Sequence, residues 1–160
     1  MTKNFFLQTI LFFLPVSVCF SQWAPGKYMK QATTRALGYA TYVEQNSSTY
    51  GVTDGLCFLG ALLKKNGGSS EFNVYLSSNS TYKFIGAGDD DATDIDLDIK
   101  NSSGTILASD TEHDNIPVVT YKPSISVTYT IRSSNHSNAI AFCALTILRT
   151  GGYVMQESHL

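Results

Sequence analysis

Residues 84–104 read FIGAGDDDATDIDLDIKNSSG, so Asp89, Asp90, Asp91, Asp94, Asp96 and Asp98 fall close together and the last three alternate with Ile95, Leu97 and Ile99. Successive residues of a strand face opposite sides, which sends the three aliphatic side chains toward a core and the three carboxylates to the other face. Like charges at that spacing repel unless salt, hydrogen-bond donors or a cation compensates. Calcium takes carboxylate and loop-carbonyl oxygens in a flexible shell. The pattern therefore offers a candidate calcium site of Asp89, Asp90, Asp91, Asp94 and Asp96, with Asp114 or Asp110 added from the segment DTEHDN. The same carboxylates also suit a second role, accepting hydrogen bonds from neighbouring loop amides and giving a solvated acidic face that blunts a sheet edge. The segment is not an EF-hand: with Asp94 as first ligand, Ile99 stands where the loop needs glycine and Thr105 where it needs glutamate.

Catalytic patterns are sparse. The chain has no Gly-x-Ser-x-Gly elbow, no His-Glu-x-x-His, no phosphate-cradling glycine loop and no zinc spacing among His113, His136 and His159. His113 lies between Glu112 and Asp114, yet a lone loop histidine is most often simply solvated. A hydrolase drawing acid and base from the aspartates needs two carboxyls facing each other across a cleft, and no such cleft is legible here. The expectation is a protein that is not an enzyme.

The elements that must position these groups change texture along the chain. Over residues 25–45, Met29, Ala32, Ala36, Tyr39, Ala40 and Val43 recur at helical spacing, which predicts one amphipathic helix. Its aromatic residues Tyr28, Tyr39 and Tyr42 are expected to pack on the domain, with a binding face as the alternative. Residues 46–51 read as a breaker. Beyond them the period becomes two, with short runs at 56–63, 71–76, 81–86, 93–100, 105–109, 117–121, 127–132 and 139–148 separated by turn clusters such as KKNGGSS, GAGDDDA and SSNHSN. Such strands, without a second helix for a crossover, predict a mostly β chain: an antiparallel β-sandwich or jelly roll preceded by one amino-terminal amphipathic helix.

At the amino terminus, Lys3, an apolar run over residues 5–18 and the small-residue ending Cys19-Phe20-Ser21 predict a secretory signal over residues 1–21, cut after Ser21. Val18 before Cys19 argues against lipid anchoring, and no second apolar segment predicts a membrane span. The expected plan is then a helical extension over 22–50, the sandwich over 51–150 and a tail over 151–160, secreted or periplasmic. A net charge of -2 and 15% charged residues leave no polybasic footprint for nucleic acid. With the signal removed, Cys57 and Cys143 form an even pair in an exported domain, so a disulfide between them and a pair of buried thiols are both open.

The segments LGALLKKNGGSSEFNVYLSSNSTYKFIGAG, TDIDLDIKNSSGTILASDTEHDNIPVVTY and SVTYTIR, in this order, resemble the bacterial pre-peptidase C-terminal domains, β-sandwich modules attached to many secreted peptidases and also found alone. The resemblance spans residues 56–148 and is strongest at Asp94-Ile95-Asp96-Leu97. One departure is Val127 before Thr128-Tyr129, where the family usually places glycine in a tight turn. Relatives of these modules include collagen-binding domains, some of which bind calcium. The resemblance implies a secreted, non-catalytic module that binds a polysaccharide or protein surface, with calcium as its expected ion. The alternatives are a structural cell-envelope protein without a specific ligand and a small secreted hydrolase.

Overall fold

The computed structural model describes residues 27–47 and 49–153. The expected signal segment and His159 lie outside the described residues. One helix, α1 (Lys27–Asn46), precedes nine strands: β1 (Tyr50–Val52), β2 (Phe58–Leu63), β3 (Gly68–Leu76), β4 (Tyr82–Gly88), β5 (Ile95–Lys100), β6 (Ile106–Asp110), β7 (Val118–Tyr121), β8 (Val127–Asn135) and β9 (Ala141–Thr150). Among the described residues no helix is long and apolar enough to cross a membrane.

The strands pair as a nested hairpin. β5 pairs with β6, β4 with β7, β3 with β8 and β2 with β9, all antiparallel. The apex is the turn 101–104, where the Asn101 side-chain oxygen accepts from the amides of Ser103 and Thr105 at 3.1 and 2.9 Å. Gly104 supplies the positive φ of 81° that turns the chain there. Rolling this long ribbon brings β4 onto β9 and β5 onto β8. Two sheets result, β3-β8-β5-β6 and a five-stranded sheet ordered β9-β4-β7 with β1 and β2 sharing the outer side of β9. This connectivity is that of a jelly roll, so the expected fold class holds.

Alternation builds the core between the sheets. Leu97 and Ile99 from β5, Tyr129 and Ile131 from β8, Phe84 from β4, and Leu145 and Ile147 from β9 form its centre. The outer face of the five-stranded sheet is covered by α1, whose Ala32 and Ala36 meet Ala87 and Ala144 while Ala40 and Val43 meet Ile85 and Leu148. Small side chains let the helix lie close on the strands, and this second cover explains why β4 and β9 are buried on both faces. The apolar stripe is narrower than the sequence implies. Met29, Tyr39 and Tyr42 are exposed, the two tyrosines touching each other with ring centroids 5.9 Å apart, so the expected packing of this aromatic pair on the domain does not occur.

Three further expectations change, and the departure at Val127 is accounted for. The breaker at 46–51 ends in a strand, because Tyr50, Gly51 and Val52 pair with Thr150, Arg149 and Leu148. Tyr153 bridges to Val52, so the carboxyl-terminal boundary at 150 does not part a tail from the sheet. Turn-like residues 68–70 and 133–135 pair with each other as the ends of β3 and β8, the ladder overriding their polar composition. Val127 opens β8 opposite Leu76 without positive φ, which among the described non-glycine residues only Asn66 adopts.

The disulfide is also corrected: Cys57 and Cys143 are free thiols. The Cys57 carbonyl accepts from the amide of Ile147 at 3.0 Å, whereas Cys143 lies opposite Ala61. Four residues of extended strand, about 13 Å, separate the two levels, well beyond disulfide reach. Burial pushes the Cys143 thiol up from its ordinary value although Ser133 lies 3.1 Å away and acts in the opposite direction. A thiol reagent applied to the native protein is expected to modify Cys57 and to reach Cys143 only after unfolding. A disulfide mass in the unreduced protein would contradict the β2–β9 register.

Leu97 is fully buried between Asp110 and Ser133 of the flanking strands. Leu97→Asp should cost about 4 kcal/mol or more by placing an unpaired charge in the core. Urea unfolding measures it, and a wild-type midpoint would move Leu97 out of the core.

Candidate functional site: an acidic loop end and a side-wall cleft

Rolling the hairpin gathers four loops at one end of the sandwich: 64–67, 89–94, 111–117 and 136–140. Their backbones are tied together. Asn66 and Gly67 donate to the carbonyls of Ser137 and Asn135, His136 to that of Asp94, and Ile95 to that of Asp114. All six candidate calcium ligands and the histidines His113 and His136 belong to this end or to the first residues of β5.

Each carboxylate but one meets a partner of its own. Asp89 is buried, and its two oxygens accept from the amides of Asp91 at 3.0 Å and Phe142 at 2.8 Å. Asp90 reaches back to the helix, 2.5 Å from the Arg35 guanidinium and in contact with Gln31. Asp114 accepts from the amide of Ile116 at 2.8 Å, and Asp110 from those of Glu112 and Val118 at 3.1 and 2.7 Å. Asp91 is exposed.

The alternating row on β5 faces away from the core, as its period requires. Asp94 lies 2.9 Å from Nδ1 of His113, Asp96 lies 3.1 Å from Nε2 of His136, and buried Asp98 is bound by the Arg132 guanidinium, with Nε at 2.8 Å. Three bases from two other segments thus offset the repulsion that the sequence leaves open. Among the described residues no three His, Cys, Asp or Glu side chains are arranged to hold a metal ion. The hydrogen bonds of Asp89, Asp110 and Asp114 to loop amides are those of the loop-organising role.

Chemically, the end carries two carboxylate-imidazole pairs, with His113 and His136 both exposed. Ser137, the nearby hydroxyl, accepts from the amides of Thr93 and Asp94 at 2.8 and 3.1 Å and is buried, so it braces the loops. Burial raises the Asp96 carboxyl above its ordinary 3.8; His136 opposes the shift, and the charges of Asp94, Asp98 and Asp110 add to it. The folded chain then holds this proton to higher pH than the unfolded chain does, so stability falls as pH rises through that window. Asp96→Asn removes the titration. It should melt above wild type at neutral pH and converge with it as the pH drops below the carboxylate range; parallel melting profiles would overturn the assignment.

A second site was not legible in the sequence. A cleft of about 390 Å³ opens on the side wall where the edge strand β3 lies over the turn joining β1 to β2. Its lining includes Asp54, Leu56, Asn73, Tyr75, Tyr82 and Arg149. The turn is braced by Thr53, whose hydroxyl donates to the Leu56 carbonyl at 2.9 Å, and Gly55 takes the positive φ of 75°. The Arg149 guanidinium donates to Asp54 at 2.6 Å, which holds the Asp54 carboxyl below its ordinary value. Tyr82 is buried, and its hydroxyl accepts from the Ser77 amide at 2.9 Å, whereas Tyr75 is 65% exposed. These groups come from chain segments around 54, 75 and 149, so no local spacing announces them.

No known family model matches the chain, and no curated protein matches it. A solved structure titled "Crystal structure of PirA" is similar at 12% identity with a TM-score of 0.42, over 59% of this chain and 95% of that one. That likeness is too slight to carry a functional assignment.

Proposed function

We propose that this chain is an exported, non-catalytic jelly-roll module that binds a polysaccharide in the side-wall cleft. The observation that carries the reading is a cleft whose lining includes Tyr75, an exposed aromatic residue, with Asn73 and the paired planar groups of Asp54 and Arg149. A pyranose presents an apolar C–H face and a rim of hydroxyls. An aromatic ring takes the first; amide, carboxylate and guanidinium groups exchange hydrogen bonds with the second. A concave site with few fixed polar groups is the usual form of a small-ligand pocket.

Two further features support the same reading. The signal-like amino terminus puts the chain where polysaccharides are, and residues 56–148 resemble modules that serve secreted enzymes as binding domains. The acidic end contributes architecture. Its histidines have no serine or cysteine hydrogen-bond partner among the described residues, so no nucleophile and base are paired there.

The test is retention on insoluble polysaccharides, with collagen and a blank matrix alongside, followed by calorimetric titration with soluble fragments of any polysaccharide that retains the protein. Tyr75→Ala should weaken binding at least about tenfold, near 1.4 kcal/mol, and leave the melting temperature unchanged. Retention on collagen alone, or binding indifferent to Tyr75→Ala, would reject the cleft as a saccharide site.

A further inference from the structure

Besides the three-residue β1, to which Tyr153 bridges, the jelly roll leaves four edge strands, and three of them carry protection against pairing with another chain. β3 presents Glu71, β6 is short, ends in Asp110 and faces a register irregularity at Ile99 and Lys100, and β7 is shorter still with Pro117 and Pro123 near its ends. β2 carries none of these. It reads FLGALL, without charge, proline or register irregularity, and leaves Leu62 70% exposed and Phe58 36% exposed.

The orientation of its free hydrogen-bonding groups follows from the pairing with β9. Cys57 and Ile147 form a bonded pair, so bonding alternates and Leu59, Ala61 and Leu63 point their amides and carbonyls at β9. Those of Phe58, Gly60 and Leu62 therefore point outward. No backbone partner meets them among the described residues. The side chains of these three residues share the sheet face of Phe142, Ala144 and Thr146, and the Phe142 ring lies over Gly60, where an added Cβ would stand 2.9 Å from it.

We propose that β2 is a dimerisation edge and that its occupant is β2 of a second copy of this chain. An antiparallel pair with its two-fold axis at Gly60 sets Phe58 of each copy opposite Leu62 of the other. It bonds the outward backbone groups of both strands and continues one sheet through the two molecules. The strand is self-complementary in charge as well. Exposed Lys64 and Lys65 follow its carboxyl end and exposed Asp54 precedes its amino end, so the two-fold brings each lysine pair toward the other copy's aspartate. The helix does not block the approach, because α1 sits over β4 and β9.

Sedimentation of the purified full chain over a concentration series tests this, together with hydrogen exchange at the Phe58, Gly60 and Leu62 amides. The expected result is a concentration-dependent dimer in which those three amides are protected. Leu62→Lys should weaken it about a hundredfold, since the symmetry repeats the substitution twice. Circular dichroism should show that this variant keeps its fold, and Leu107→Lys on the β6 edge should leave the dimer intact. A monomer at every concentration, or a dimer indifferent to Leu62→Lys, would overturn the proposal. So would protection of the three amides in a monomer, which would mean that a terminal segment of the same chain covers the edge.

Discussion

Everything in this fold hangs on the nested pairing that starts at the turn 101–104. With β5 and β6 in register at the centre, each outward pair continues the ribbon, and the last, β2 with β9, ties residues 58–63 to residues 141–146. A slip of one residue in such a ribbon would exchange core and solvent faces along the whole strand. The apolar alternation therefore fixes register as firmly as the hydrogen bonds do. Rolling the ribbon then adds the β4–β9 and β5–β8 ladders, and with them both sheets share one interior.

The two sheets differ in what covers their outer faces. α1 closes one with a stripe of alanines, so β4 and β9 are buried on both faces and even Thr146 of β9 lies buried. The other sheet faces solvent and carries a row of ion pairs: Glu71 with Lys100, Arg132 with Asp98, and the two histidines with Asp94 and Asp96. A buried carboxylate such as Asp98 is tolerable only while its guanidinium stays in place, because the partner left alone would carry the full desolvation cost. The acidic row is thus an electrostatic brace between β5, β8 and the 111–117 loop. Its aspartates order the loop end, and burial, with the neighbouring carboxylates adding to it, raises the Asp96 carboxyl.

The cleft and the β2 edge lie on the same side wall, where the outermost strands of the two sheets approach each other. This wall is the part of a jelly roll that neither the helix nor the interior constrains. Exposed Leu56, Phe58 and Leu62 accumulate there.

From the residues alone came the features that depend on local periodicity: the helix over residues 25–45, eight of the nine strands, the mostly β class, and the facing of Ile95, Leu97 and Ile99 away from Asp94, Asp96 and Asp98. Propensity and alternation are written into a few neighbouring residues, so they survive without a partner in view. Pairing is not local. β1 is a strand only because β9 lies beside it, and Gly68, Ser69 and Ser70 leave their turn-like composition for a ladder because Ser133, Ser134 and Asn135 do the same opposite them. The separation of Cys57 from Cys143, the base assigned to each aspartate, and the meeting of Asp54, Tyr75 and Arg149 in one cleft were likewise set by register between distant strands. A single chain's spacing does not carry that register, because it emerges only when the ribbon closes.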